Sequence, residues 1–180
     1  KILYEDIPSA FPVKYDAIRQ LKRFLYIVAS SHPFQVNVSK LSRDLQIARE
    51  SLYQYLDFLD QSFVIHRLWK QSSGKAFQRK PEKLLLHNPN IISYLQPQAF
   101  LQNKGIMRET FFISQVMTAH KMFAANSADF EDDLNNQFEI GGKSKTSGQL
   151  DPNKNGYLVL DDISIGDKQR IPLYLFGFLY

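Results

Sequence analysis

A chain of 180 residues, 44% of them hydrophobic, is long enough for one compact domain or two small ones, each with its own core. The absence of cysteine excludes disulfides, thiolate zinc sites and cysteine nucleophiles, and a net charge of +4 leaves room for an anionic partner. No apolar run reaches bilayer length, the longest, Ile171–Tyr180, being about half of it, so the expectation is a cytoplasmic protein with no membrane partner.

The chain opens with Lys1 and a strand-like KILYEDIPS, which points to a piece of a longer protein. Tyr15–Ser31 carries Ile18, Leu21, Leu25 and Val28 at helical spacing, with Asp16 near the positive end of the helix dipole. His32-Pro33 stops that helix, because the proline ring disfavours helical geometry in the residue before it. A short helix follows, with Ser39 near its start and Val38, Leu41 and Leu45 as its apolar contacts. The next runs over about 48–61 with Leu52, Tyr55, Leu56 and Leu59 on one stripe, leaving Arg49, Glu50, Tyr53, Gln54 and Asp57 outward.

The period then changes to that of strands. Phe63–Trp69 is β-branched and aromatic, Gln71–Lys75 holds the glycine of a turn, and Lys83–His87 supplies a second strand. Three helices followed by a basic hairpin predict a winged helix, with its third helix in the major groove and its hairpin on the phosphate backbone. On that reading Arg49, Ser51, Tyr53 and Gln54 approach bases, while Arg67, Lys70, Lys75, Arg79 and Lys80 meet phosphates. Glu50, Asp57 and Asp60 weaken the basic character of that helix, so a winged helix that makes protein contacts fits equally well.

From Asn88 the sequence predicts a connector with a short helix around Ile91–Leu95 and then a loop, which sets a boundary between residues 1–97 and 98–180. Gly105–Ala124 reads as a second long helix. On its stripe Glu109 sits among Phe112, Ile113 and Val116, and a carboxylate on an apolar face needs a partner. That partner is either a functional site or a nearby cation such as Arg108 or Lys104. His120 on the same helix has no metal-ligand spacing to other residues and reads as structural.

The densest chemistry lies in ADFEDDLNNQFEIGGK, residues 128–143, where Asp129 precedes Glu139 and a lysine, Lys143, follows at short range. Alternation places Gln137, Glu139 and Gly141 on one strand face and Phe138 and Ile140 on the other. Two carboxylates on neighbouring strands can share Mg²⁺ or Mn²⁺, and an ammonium nearby can steady charge on a scissile phosphate, which is the order of parts in one class of metal-dependent nucleases. The same acids also suit the solvated tip of a hairpin with Gly141-Gly142 as its turn. Gly142-Lys143-Ser144 resembles the end of a P-loop, but the first glycine of that motif would fall on Gln137, so the chain holds no nucleotide site. Tyr157–Leu160 predicts a buried strand and Ile171–Tyr180 a segment packed on the sheet or on a partner chain, which makes the second half α/β.

Tyr4–Pro12, Lys40–Leu45 with Leu52–Leu59, Arg108–Phe112 (RETFF), Phe138–Lys143 (FEIGGK) and Ile171–Tyr180 resemble the C-terminal region of a family of prokaryotic, archaeal-ATPase-like AAA+ proteins, a domain of unknown function (DUF 4143). The resemblance implies an α+β chain in which a winged helix is followed by an α/β domain resembling PD-(D/E)XK nucleases, the ATPase module being a missing partner. It implies roles for Glu109, Asp129, Glu139 and Lys143 in catalysis, with Asp129 and Glu139 holding Mg²⁺ or Mn²⁺. The strict pattern places its lysine at position 141, which is Gly141 here, and a bulge would be needed to bring Lys143 back. Gln149 matches a polar residue that follows the motif in some such nucleases. The partners so implied are nucleic acid, with DNA favoured over RNA, the ATPase domain, and further copies of the chain; the rival expectation is a non-catalytic assembly module.

Overall fold

A computed structural model describes residues 1–30, 36–71 and 80–179. The chain is α+β: among the described residues there are seven α-helices, a two-stranded sheet and a five-stranded mixed sheet. It divides into two compact units, Lys1–Arg67 with Lys83–Gln102, and Leu68–Glu82 with Asn103–Tyr180. The division falls after Gln102 rather than at 97/98, and it assigns Leu68–Glu82 to the second unit.

The first unit begins with a π-helical turn, Ile2–Asp6, running into α1, Ile7–Ala10. The strand expected there does not form. Pro8 sits in the first turn of α1, where its missing N–H costs nothing, and Ile7 is fully buried. Helices α2 (Tyr15–Ser30), α3 (Val38–Leu45) and α4 (Arg49–Gln61) follow the apolar periodicity closely. Their stripes supply the core: Leu21, Phe24 and Leu25 from α2, Leu41 and Leu45 from α3, Leu52, Leu56 and Leu59 from α4. The cap of α3 is Asn37, whose side chain accepts from the Lys40 N–H at 2.9 Å, rather than Ser39. Strands β1 (Ile65–Leu68) and β2 (Lys83–Leu86) pair as predicted; the proposed helix stop at His32-Pro33 and most of the turn over Gln71–Lys75 lie outside the described residues. Beyond β2, α5 (Pro89–Leu95) is followed not by a loop but by α6 (Pro97–Gln102), with proline again at a helix start.

In the second unit α7 (Lys104–Val116) ends sooner than its apolar pattern suggests. Met122–Ala124 is strand β3, because its backbone pairs with β4 (Phe130–Asp132): Met122 lies opposite Asp132 and Ala124 opposite Phe130. A run such as VMTAHKMFA suits either state locally, and the sheet decides it. His120 therefore lies exposed just beyond the helix. β5 (Asn136–Gly142) pairs antiparallel with β4 and parallel with β6 (Asn155–Asp161), which pairs parallel with β7 (Arg170–Pro172). Phe112 of α7 packs on Phe130, Phe138 and Phe176, with ring centroids 4.8–5.8 Å apart. Phe176 belongs to a 3₁₀ helix, Leu173–Phe178, so the apolar C-terminal segment does pack within its unit, although Tyr174, Leu175 and Phe178 remain exposed.

Candidate functional site

The register of β4 and β5 sets up the acidic cluster. Phe130 lies opposite Phe138 and Glu131 opposite Gln137, so one step further Asp129 faces Glu139 across the antiparallel pair. Asp132 fixes the turn between the strands: its carboxylate accepts the N–H groups of Leu134 and Asn136 at 2.9 and 2.8 Å and the Asn136 side chain at 2.7 Å. Buried Gln137 ties the flanking loops to β5, accepting from the Asp151 N–H at 2.9 Å and donating to Ser127 Oγ at 3.2 Å. The Asp129 carboxylate accepts the Ile140 N–H at 2.8 Å, which holds it against the strand that carries Glu139. Gly141 and Gly142 lie within β5; the exposed turn begins at Lys143, so they do not form a hairpin tip.

Alternation places Glu139 opposite the Phe138 face, yet that second face is not open to water. Glu139 has 0% of its surface exposed. Lys143, the lysine expected at the site, is exposed in the turn after β5, and Lys145 makes the ion pair with Glu139 Oε1 instead. Gly141 explains how it gets there. A Cβ at position 141 would lie 2.7 Å from both Cβ and Cγ of Lys145, so the lysine stem runs across the bare glycine backbone to reach Glu139. Both Glu139 oxygens are sealed from solvent, and the Asp129 backbone N–H approaches the same carboxylate.

Charge at the cluster follows from this packing. Burial pushes the Glu139 carboxyl up, the Lys145 hydrogen bond pulls against that, and the Asp129 charge adds to the rise; the net shift is upward. For Lys145 burial acts downward, but the hydrogen bond and charge of Glu139, with Asp129 and Glu109 beyond it, hold the ammonium above its ordinary range. Glu109, buried on α7, thus belongs to the same electrostatic neighbourhood as the two strand carboxylates. Its neighbour Arg108 is committed elsewhere, to Asp161 at 3.0 Å and Asp162 at 3.4 Å. Gln149 lies exposed in the turn before β6.

Among the described residues no three His, Cys, Asp or Glu side chains gather closely enough to hold a metal ion by themselves. Mg²⁺ commonly binds through one or two carboxylates and keeps several waters. Asp129 and Glu139 offer that smaller set of hard oxygen donors, and the Glu139 carboxylate is sealed from bulk solvent. On this ground the residues present fit such an ion.

The first unit distributes its charge differently. On α4, Arg49 and Gln54 are exposed, and Ser51 and Tyr53 are half-buried. Arg67, expected to meet phosphate, is instead gripped by Asp57 and, at 2.7 Å, by Asp60 on the adjoining helix. Those acids lie about one helical turn apart, which lets both reach one guanidinium. In the second unit's share of the hairpin, Lys70 pairs with Glu82 at 3.7 Å and Lys80 is exposed; Lys75 and Arg79 lie outside the described residues.

The profile of the family described as a domain of unknown function, DUF8612, matches residues 1–102, and the chain belongs to that family. No curated protein and no solved structure matches the chain.

Proposed function

We propose that this DUF8612 chain carries in its second unit a phosphodiester-hydrolysing site of the PD-(D/E)XK kind, with DNA favoured over RNA as its substrate. The observation that supports this reading most strongly is the buried Glu139 facing Asp129 across two strands, with the Lys145 ammonium on its carboxylate. Such a grouping is costly to bury and adds nothing that a packed apolar pair would not.

Asp129 and Glu139 would hold Mg²⁺ or Mn²⁺, which supplies an activated water and neutralises charge on the phosphate oxygens. The Asp129 carboxylate is oriented by the Ile140 N–H, and the β4–β5 register keeps both acids on one side of the sheet. Lys145 would offset the negative charge that grows on the scissile phosphate as water attacks phosphorus and the ester oxygen departs. Glu109 would bias the field at Lys145 from α7. Lys143 would stay outside this machinery.

The succession α2, α3, α4 and then the β1–β2 pair supports reading the first unit as a winged helix, and we read it as the part that positions the chain. The pairing of Arg67 with Asp57 and Asp60 favours a protein-contact role for it over one that grips the DNA backbone. An ATPase module as its partner, and self-association, rest on the sequence resemblance alone.

The test is cleavage of single- and double-stranded DNA and RNA by the purified chain in Mn²⁺ or Mg²⁺, with Glu139→Ala as the matched control. Metal-dependent cleavage lost in the variant supports the proposal. Silence from both proteins moves the reading to a non-catalytic assembly module.

A further inference from the structure

We propose that Lys145 is the lysine of this site, delivered from the loop after β5 into the space that a lysine at position 141 would occupy, and that Gly141 is glycine to let it through. The inference rests on the hydrolase reading above. Position 141 is two residues beyond Glu139 and on the same strand face, so a side chain there would run alongside the Glu139 carboxylate. That space is filled. The Cβ, Cγ and Cδ of Lys145 lie 2.7, 2.7 and 2.9 Å from where a Cβ on Gly141 would stand, closer than any real side chain permits.

The loop geometry makes the detour possible. After Gly142 the chain turns through Lys143 and Ser144, and the Lys145 N–H donates to the Gly142 carbonyl at 2.9 Å, which closes the turn and returns residue 145 beside the strand end. Lys143 is carried outward by the same turn. Glycine at 141 is therefore required for space and not for a left-handed backbone, which it does not adopt. Glu139 and Lys145 thus form a pair whose two members come from strand and loop.

The proposal is tested by following the Glu139 carboxyl by carbon-13 NMR titration in the full chain, without metal. Lys145→Met keeps an apolar stem over Gly141 and removes the charge; it shifts the Glu139 titration upward. Gly141→Ala drives a methyl into the lysine stem and shifts it in the same direction. Gly141→Lys combined with Lys145→Ala moves the ammonium back to the strand and returns the titration toward that of the unmodified chain. An unchanged titration in Lys145→Met overturns the proposal. So does failure of the relocated lysine to restore it in a chain whose circular dichroism matches the original. Cleavage assays on the same proteins separate the two claims. If none of them cleaves DNA, the hydrolase reading falls while the titration still decides whether Lys145 stands in for residue 141.

Discussion

Among the described residues, the first unit buries the polar side chains of His66 and Lys83, whereas the second buries Glu109, Glu131, Asp132, Gln137 and Glu139 together with Thr110 and Ser114. Two of those acids have a structural account: Asp132 caps the β4–β5 turn, and Glu131 pairs with Lys154 at 2.7 Å. Glu139 pairs with Lys145 from the loop after β5, with Asp129 close to the same carboxylate. The first unit takes its core largely from helical leucines, whereas the second sets a cluster of carboxylates among its aromatic rings.

The contrast can be broken or sharpened by mutation. The largest effect is expected from the cores themselves. Phe24→Ala in the first unit and Phe112→Ala in the second should each cost about 3–5 kcal/mol, because both rings are fully buried. Hydrogen exchange read separately over residues 15–61 and 104–142 checks whether each loss is confined to its own unit. Uniform loss of protection across both would erase the division.

The next effect is acid sensitivity of the first unit. His66 is 9% exposed and stacks on His87 at 4.3 Å. Burial first, and then the neighbouring His87 charge, lower it from 6.5 to about 4, against a hydrogen bond with the His87 backbone. An unfolded chain takes up this proton near pH 6.5 while the folded one waits until about pH 4, so stability present above pH 6.5 is lost as pH falls between those values. The loss is at most about 3 kcal/mol. Urea midpoints measured from pH 7 to 4 should fall, and His66→Gln should flatten the slope.

Glu139 has the opposite sign. Its folded pKa is raised, so its contribution is greatest below the unfolded carboxylate value of 4.5 and is lost as pH rises through the folded one. Glu139→Gln should therefore stabilise the second unit at neutral pH by on the order of 1 kcal/mol, because it removes a carboxylate whose charge burial disfavours. Thermal melts at pH 7 and 4.5 should show that gain shrinking at the lower pH. A destabilised variant at pH 7 would mean that the ion pair with Lys145 outweighs the burial cost. The smallest effect is expected from Lys143→Ala, within about 0.5 kcal/mol and without change at Glu139, because Lys143 is an exposed turn residue.

Much of this was legible in the sequence. The helices of the first unit follow their apolar stripes, and alternation places Glu139 on the strand face away from Phe138, while Asp129 is singled out by the order of its acids and by the resemblance. Errors arose where local pattern was ambiguous. Ile2–Asp6 looks like strand but finds no sheet partner, and Met122–Ala124 looks like helix but pairs with β4. An ideal strand gives no reason to look at Lys145, whereas the Gly142–Lys145 turn carries the chain back upon itself. The one signal that pointed to it was Gly141, a residue without a side chain at the position where the lysine was wanted.

The most direct test of the account compares the two units in one assay: Mn²⁺-supported cleavage of DNA by the unmodified chain, by Glu139→Ala in the second unit and by Arg49→Ala in the first. The account predicts cleavage by the unmodified chain, a loss of about 100-fold or more in Glu139→Ala, and near-normal cleavage in Arg49→Ala. Equal cleavage by the unmodified chain and Glu139→Ala, or none by any of the three, would contradict it.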